Sequence, residues 1–196
     1  MKKTISILGS TGSIGQNVLK IIDIKKKSFK VELLSAHKNY PLIIKQIKKY
    51  KPKIFVITNP EVYSKIKNKF KSQKIKIYDN FNFFFSRKKT NFTVSAIPGI
   101  AGLKPTIKII GSTKKLLIAN KESIICGWNL INKELKIHKT NFIPVDSEHF
   151  SIWELLQNYK SINIEKIYIT ASGGPFLRLP KKNFSKISLK KALKHP

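Results

Sequence analysis

Short apolar runs alternate along the chain with longer segments whose apolar residues recur every three or four positions. The short runs predict β-strands and the longer segments predict amphipathic helices. We expect strands at residues 4–8, 31–35, 54–57, 75–78, 92–96, 115–118, 142–145 and 166–170. We expect helices at residues 13–23, 41–50, 102–110, 122–131, 151–158 and 189–194, and another that opens at Asn59-Pro60. This order is typical of the α/β class, a Rossmann-like parallel sheet with helices on both faces.

Composition narrows the class of protein without changing the predicted fold. Of the 196 residues, 41% are hydrophobic, which suits a folded globular chain. No segment approaches the roughly 18 apolar residues of a membrane helix, and the N-terminal apolar run is too short for a secretion signal. The one cysteine, Cys126, excludes an internal disulfide. We therefore expect a cytoplasmic protein with no membrane partner.

The formal net charge of +29 suggests nucleic-acid binding, because basic surfaces attract phosphate backbones. Lysine is nevertheless spread over the whole chain, and arginine occurs only at Arg87 and Arg178. Specific base contacts depend on arginine. The other abundant residues, Ile, Asn and Phe, also have A+T-rich codons, so codon bias explains the excess of lysine. We expect weak nonspecific binding and no specific nucleic-acid partner.

The segment GSTGSIG, residues 9–15, follows the first predicted strand and opens the first helix. A dinucleotide fingerprint requires this context. Gly9 permits a tight turn, Gly12 lets the backbone approach a pyrophosphate, and Gly15 permits close packing of helix and sheet. The spacing is GxxGxxG rather than GxGxxG, so a plain glycine turn between strand and helix remains an alternative.

The segment SAHKN at the end of the second strand contains no acidic residue. NAD-binding folds usually place Asp or Glu there to accept a hydrogen bond from the ribose 2′-hydroxyl. Lys38 would instead suit a 2′-phosphate. The position of this lysine and the missing acid together favour NADP over NAD.

The segment ANKES places Asn120, Lys121 and Glu122 where a strand meets a helix. One interpretation is structural, since an acid in the first turn interacts favourably with the helix dipole and lysines are common in this chain. The other makes Asn120 and Glu122 cofactor contacts and Lys121 a substrate contact. The segment alone does not decide between them.

The segment PVDSEH places Asp146 and Glu148 at the end of the strand at residues 142–145. Residues two apart on extended backbone point the same way, so both carboxylates could face one Mg²⁺ or Mn²⁺ ion. Two carboxylates do not fill an octahedral site, and further ligands must complete it. The alternative is a capping Asp or Ser before the next helix, with His149 as a residue at the helix start.

The turn SGG after the predicted strand at residues 166–170 offers exposed backbone and the Ser172 hydroxyl. It suits a bound phosphate, and it fits a plain Gly-Gly-Pro turn equally well.

The motifs GSTGSIG, AHKN, ANKES, PVDSEH, ASGGPF and the terminal KHP occur in one order. This order resembles the 1-deoxy-D-xylulose 5-phosphate reductoisomerase family of non-mevalonate isoprenoid biosynthesis. The resemblance implies an NADPH-dependent oxidoreductase and isomerase that forms homodimers and uses Mg²⁺ or Mn²⁺, with Co²⁺ as a further candidate. It implies an NADPH-binding domain over residues 1–145 and the start of a catalytic domain over residues 146–196.

The resemblance also assigns site residues, although it assigns no catalytic acid or base. Implied NADPH contacts are Thr11, Gly12, Ser13, Ile14, His37, Lys38, Asn39, Asn120 and Glu122. Implied contacts to the phosphorylated sugar are Lys121, Ser147, Ser172 and His195, and implied metal ligands are Asp146 and Glu148. His37 stands where the family often has Gly, and it either crowds or supplements the pocket for the adenosine phosphate.

Enzymes of this family continue well beyond the point where this sequence stops. Their second half supplies an active-site loop, a third carboxylate ligand, further contacts to the substrate phosphate and a C-terminal helical domain. We therefore expect the 196-residue chain alone to be inactive or nearly so. The alternative to an active enzyme is an NADPH-binding fragment, or one half of a split enzyme.

Overall fold

The computed structural model describes residues 1–82, 89–157, 163–169 and 176–192. The described strands are β1 Lys3–Leu8, β2 Phe29–Ala36, β3 Ile54–Ile57, β4 Lys76–Tyr78, β5 Thr90–Ser95, β6 Thr113–Ile118 and β7 Asn141–Pro144. They form one parallel sheet in the order β4-β3-β2-β1-β5-β6-β7. The direction of strand addition reverses at β1, which is the arrangement of a doubly wound fold. The predicted Rossmann-like class is confirmed.

The described α-helices follow these strands along the chain, and some of them begin at a side-chain cap. They are α1 Ser13–Ile24, α2 Tyr40–Tyr50, α3 Pro60–Lys69, α4 Leu103–Ile109, α5 Lys121–Ile137, α6 Ser147–Leu156 and α7 Leu189–Ala192. The Asn39 side chain accepts a hydrogen bond from the Leu42 N–H, and Asn59 does the same for Val62. A proline follows in the first turn of each of these helices, where its missing N–H costs nothing.

Two hydrophobic clusters pack against opposite faces of the sheet. Because successive side chains of a strand alternate between faces, Ile7 joins one cluster and its neighbour Leu8 joins the other. Phe55 and Val56 divide in the same way. The first cluster includes residues of α1, α2 and α3, and the second includes residues of α4 and α5. The sheet is therefore covered by helices on both faces, as the sequence predicts.

Two predicted elements need correction. Residues 166–169 form no strand; they are exposed, and no strand of the described chain pairs with them. The helix predicted to begin at residue 151 begins at Ser147. Residues 83–88 lie outside the described residues, as does Thr170, the last residue of the predicted strand.

Contacts within the chain divide it into two compact units, Met1–Phe150 and Ser151–Pro196. The first contains the whole sheet, α1 to α5 and the beginning of α6. The second contains the rest of α6, a 3-10 turn at Lys181–Lys186 and α7. The functional division at residue 145 stays a prediction. Among the described residues, no helix is both long enough and apolar enough to cross a membrane.

Candidate functional site

Most of the candidate residues follow the carboxyl ends of β1, β2, β6 and β7. Because these strands are parallel and lie in one sheet, the segments after them lie along the same edge. These segments carry Thr11, Gly12, Ser13, Ile14, His37, Lys38, Asn39, Asn120, Lys121, Glu122, Asp146, Ser147 and Glu148. Ser172 and His195 lie outside the described residues. The described candidates therefore occupy the edge where α/β folds bind ligands.

The loop between β1 and α1 is built on close backbone approaches. Gly9 has a φ of 81°, and a Cβ atom there would lie 2.6 Å from the Ala96 carbonyl oxygen. The Gly12 N–H donates to the Gly9 carbonyl at 3.1 Å and closes the turn. A Cβ on Gly15 would lie 2.3 Å from the same Gly9 oxygen. The structure confirms the predicted role of Gly9 in the turn, and it shows that Gly15 packs closely against the loop backbone rather than against the sheet.

The N-terminus of α1 is open to solvent. Gly12 is its N-cap residue, and no side chain caps the helix. Gly12, Ser13 and Ile14 are exposed, so the first N–H groups of the helix face outward without a side-chain acceptor. These N–H groups and the positive end of the helix dipole suit a pyrophosphate.

Three buried polar residues that the sequence reasoning missed hold this loop. Ser10, Ser35 and Gln46 are each at most 2% exposed. Gln46 Nε2 donates to the Ser10 carbonyl at 2.9 Å, and Ser10 Oγ lies 2.7 Å from Gln46 Oε1. One signal could have revealed Gln46: it is a polar residue on the face of α2 that buries Ile43 and Ile47.

The segment after β2 is exposed and lies beside the end of β3. His37 Nδ1 lies 3.0 Å from Thr58 Oγ1, and the Lys38 side chain is exposed. Asn39 uses its Oδ1 atom to cap α2. A cofactor contact by the Asn39 side chain would therefore use its Nδ2 atom. The contacts predicted for all three residues stay predictions.

Asn120 is almost completely buried and joins three segments. Its Oδ1 atom accepts a hydrogen bond from the Ser123 N–H at 2.9 Å and so caps α5. Its Nδ2 atom donates to the carbonyls of Ile97 and Gly99, which follow β5. This side chain is occupied with structural bonds, whereas Lys121 and Glu122 in the first turn of α5 are exposed. The capping role of Asn120 was not predicted from the sequence, and its cofactor contact stays a prediction.

The two candidate metal ligands lie at the start of α6. Asp146 Oδ1 accepts a hydrogen bond from the His149 N–H at 2.7 Å and lies 2.8 Å from His149 Nδ1. Glu148 Oε2 lies 3.1 Å from Ser147 Oγ and 3.7 Å from Lys121 Nζ. The predicted extended backbone from Asp146 to Glu148 was wrong, because Glu148 belongs to the first turn of the helix. The capping interpretation holds for Asp146 and leaves its second carboxylate oxygen for another role.

Both carboxylates are held in the charged form. Burial raises the pKa of Asp146, but hydrogen bonds from the backbone and ring of His149 outweigh this and hold that pKa below its ordinary value. The pKa of Glu148 is lowered by its own backbone N–H, by the Ser147 hydroxyl and by Lys121. Ionised carboxylates suit a hard divalent cation. Within the described part of the chain, no group of three His, Cys, Asp or Glu residues could hold a metal ion.

Comparisons with known proteins agree on one family. A sequence model of 1-deoxy-D-xylulose 5-phosphate reductoisomerase matches residues 5–127, and a model of its C-terminal domain matches residues 142–196. The reductoisomerase of Pelagibacter ubique is 54% identical over 99% of this chain and 51% of its own length. That of Clostridium acetobutylicum is 39% identical, over 99% and 52%. The chain thus spans about half the length of the curated relatives it matches.

Solved structures of the same family have a backbone fold similar to that of this chain. The reductoisomerase of Zymomonas mobilis in complex with NADPH superposes with a TM-score of 0.80 at 30% identity, over 100% of this chain and 52% of that one. A reductoisomerase in complex with NADPH, fosmidomycin and magnesium gives a TM-score of 0.78 at 29% identity, over 99% and 51%.

Proposed function

Because the chain belongs to the 1-deoxy-D-xylulose 5-phosphate reductoisomerase family, we propose that it supplies the NADPH-binding part of that enzyme and some of its metal and substrate ligands. The proposed reaction rearranges and reduces 1-deoxy-D-xylulose 5-phosphate to 2-C-methyl-D-erythritol 4-phosphate. The observation that carries the proposal is the uncapped N-terminus of α1 beside an acid-free end of β2. A pyrophosphate and a 2′-phosphate would fit these two places.

The proposed NADPH site follows the loops at the sheet edge. Thr11, Gly12, Ser13 and Ile14 would hold the pyrophosphate through the backbone of the loop and the helix N-terminus. His37, Lys38 and Asn39 would surround the adenosine phosphate, and Asn120 and Glu122 would complete the site. The solved relatives in complex with NADPH support the choice of nucleotide.

The proposed metal and substrate site starts at α6. Asp146 and Glu148 would hold Mg²⁺ or Mn²⁺, with Co²⁺ as a further candidate, and their lowered pKa values keep them ionised for this role. A bound ion would polarise the substrate carbonyl, and NADPH would supply the hydride. Lys121, Ser147, Ser172 and His195 would contact the phosphorylated substrate. Relatives solved with magnesium and with fosmidomycin support a metal site and an inhibitor site in this family.

The proposal also covers the domain bounds, the oligomeric state, the location and the partners of the protein. Residues 1–145 would form the NADPH-binding domain, and residues 146–196 would begin the catalytic domain. Homodimerisation, a cytoplasmic location and the lack of a specific nucleic-acid partner stay predictions.

A second proposal is that the isolated chain binds NADPH without turning over substrate, as a fragment or as half of a split enzyme. It is favoured by the described carboxylate pair, because two carboxylates leave an octahedral cation incompletely coordinated. The test is an NADPH oxidation assay with substrate and Mn²⁺, and the full-length Pelagibacter ubique relative serves as positive control. We expect no turnover above background. Robust turnover by this chain would refute the second proposal and support an active enzyme.

A further inference from the structure

We propose that Gln46 is a positioning residue for the nucleotide loop, and that it holds the pyrophosphate subsite at a fixed spacing from the adenosine-phosphate subsite. Gln46 lies in the middle of α2, whereas the two subsites follow β1 and β2. The inference rests on the proposed NADPH site and adds to it a residue that touches no ligand.

Both ends of the Gln46 amide bind the same loop residue. Nε2 donates to the Ser10 carbonyl at 2.9 Å, and Oε1 accepts from Ser10 Oγ at 2.7 Å. Two hydrogen bonds between one pair of residues restrain the orientation of the loop as well as its distance from α2. Since both side chains are at most 2% exposed, water does not compete for these bonds.

Ser10 in turn binds the end of β2. Its N–H donates to the Ser35 carbonyl at 2.7 Å, and its Oγ lies 3.0 Å from the same oxygen. The Ser35 hydroxyl accepts from the Gly9 N–H at 3.0 Å. Ser35 precedes His37 by two residues, so the loop is tied directly to the strand that presents the adenosine-phosphate segment.

Packing alone gives no reason for an amide at this position. Gln46 lies on the buried face of α2 with Ile43 and Ile47, where apolar side chains are usual, and its amide instead pairs the buried carbonyl and hydroxyl of Ser10. Its hydrogen bonds go to Ser10, two residues before the open N-terminus of α1. An amide here therefore orders the loop before a ligand arrives, which reduces the entropy lost on binding.

Gln46→Met tests the inference, because methionine is of similar length and cannot make the two bonds. Thr140→Val is the matched control: Thr140 is also buried, and its hydroxyl lies 2.9 Å and 3.0 Å from the carbonyls of Ile110 and Thr113. This control removes hydrogen bonds at the opposite edge of the sheet, before β7. Ser10→Ala is the milder second variant and removes only the hydroxyl.

Two quantities are measured on each folded variant: the Kd for NADPH, and the hydrogen-exchange rates of the amides at residues 9–12 without ligand. We expect Gln46→Met to raise the Kd about tenfold or more and to accelerate exchange of the loop amides. Thr140→Val should lose comparable stability yet keep the Kd within about twofold, with unchanged loop exchange.

A failure of the positioning role and a failure of the proposed NADPH binding give different results. If Gln46→Met does not fold, the Kd for NADPH and the exchange rates of the loop amides are measured on Ser10→Ala instead. A folded Gln46→Met or Ser10→Ala chain with the original Kd and the original loop exchange overturns the inference. If the unsubstituted chain itself does not bind NADPH, the proposed function fails. The positioning role is then judged on exchange alone, and equal exchange in variant and parent overturns it.

Discussion

A Cβ atom on Gly15 would lie 2.3 Å from the carbonyl oxygen of Gly9, which no real side chain tolerates without a shift of the backbone. A Cβ on Gly12 would lie 3.4 Å from the same oxygen, which is an ordinary van der Waals distance. Gly15 is therefore needed for packing, whereas the space at Gly12 is free in the fold and open for a ligand.

Substitution by alanine should separate these two roles. We expect Gly15→Ala to lower the free energy of unfolding by about 1–3 kcal/mol, because the loop and α1 must move apart. Gly12→Ala should change it by no more than about 0.5 kcal/mol, since Gly12 is exposed and its φ of −74° suits alanine. The same Gly12→Ala substitution should raise the Kd for NADPH by about tenfold or more, as the methyl group occupies the path of the pyrophosphate. Urea denaturation measures the free energy of unfolding, and fluorescence titration measures the Kd for NADPH. A larger loss of stability in Gly12→Ala than in Gly15→Ala, or an unchanged Kd in Gly12→Ala, would contradict this division of roles.

Lys38 should determine the preference for the 2′-phosphate. We expect Lys38→Ala to weaken NADPH binding about tenfold and to leave NADH binding unchanged, because only NADPH carries the phosphate that the ammonium group would contact. Lys27→Ala is the matched control, since it removes an equal charge from the exposed turn between α1 and β2. If both variants weaken NADPH binding equally, general attraction by the basic chain explains the preference and Lys38 has no special role.

Asp146 should contribute to metal binding and to helix capping through different oxygens. Asp146→Asn keeps a capping acceptor for the His149 N–H and removes the charge, so we expect a small loss of stability and an Mn²⁺ affinity lowered about tenfold or more. Asp146→Ala should lose the cap as well, at a cost of about 1 kcal/mol. Mn²⁺ titration followed by water-proton relaxation and thermal denaturation measure the two effects. An Asn variant that binds Mn²⁺ like the parent chain would show that Asp146 is not a ligand.

Asp23 should contribute to the dependence of stability on pH. Burial raises its pKa, but hydrogen bonds from Lys49 at 2.6 Å and Tyr50 at 3.0 Å outweigh this and hold the pKa below its ordinary value. A lowered carboxyl pKa gives stability that is present above the unfolded-state pKa, about 3.9, and is lost as pH falls through the folded-state value. We expect Asp23→Asn to cost about 1 kcal/mol at neutral pH and progressively less in acid.

Urea denaturation at pH 7 and at pH 3 measures this effect of Asp23. Glu61→Gln is the control, because Glu61 pairs with Lys65 on the exposed surface of α3, where ion pairs contribute little. A cost of Asp23→Asn that stays the same at both pH values would contradict the assignment.

The sequence predicted the loop glycines and every strand of the described sheet, because turns that require glycine and buried strands leave strong local signals. The segment at residues 166–170 shows the limit of this reasoning. It has the apolar, β-branched composition of a strand, yet composition cannot tell whether a neighbouring strand exists to pair with it. Gln46 escaped notice for a similar reason, since its importance comes from Ser10, which is distant in sequence and adjacent in the fold.

The start of α6 was ambiguous for another reason. An Asp that caps a helix and an Asp that binds a metal look the same in the sequence, and the preceding strand suggested continued extended backbone. The structure shows that Asp146 caps the helix and that Glu148 is helical. The proposed metal ligands are therefore the capping residue Asp146 and the first-turn residue Glu148, and not two residues of an extended strand.

The most direct test of the central claim is a titration of the isolated chain with NADPH and with NADH at physiological ionic strength, where nonspecific attraction to the basic surface is largely screened. We expect saturable binding at a single site, with NADPH bound about tenfold or more tightly than NADH, and a Kd for NADPH raised about tenfold or more in Gly12→Ala. Equal affinity for the two nucleotides, an unchanged Kd in Gly12→Ala, or no saturable binding would contradict the proposed NADPH site.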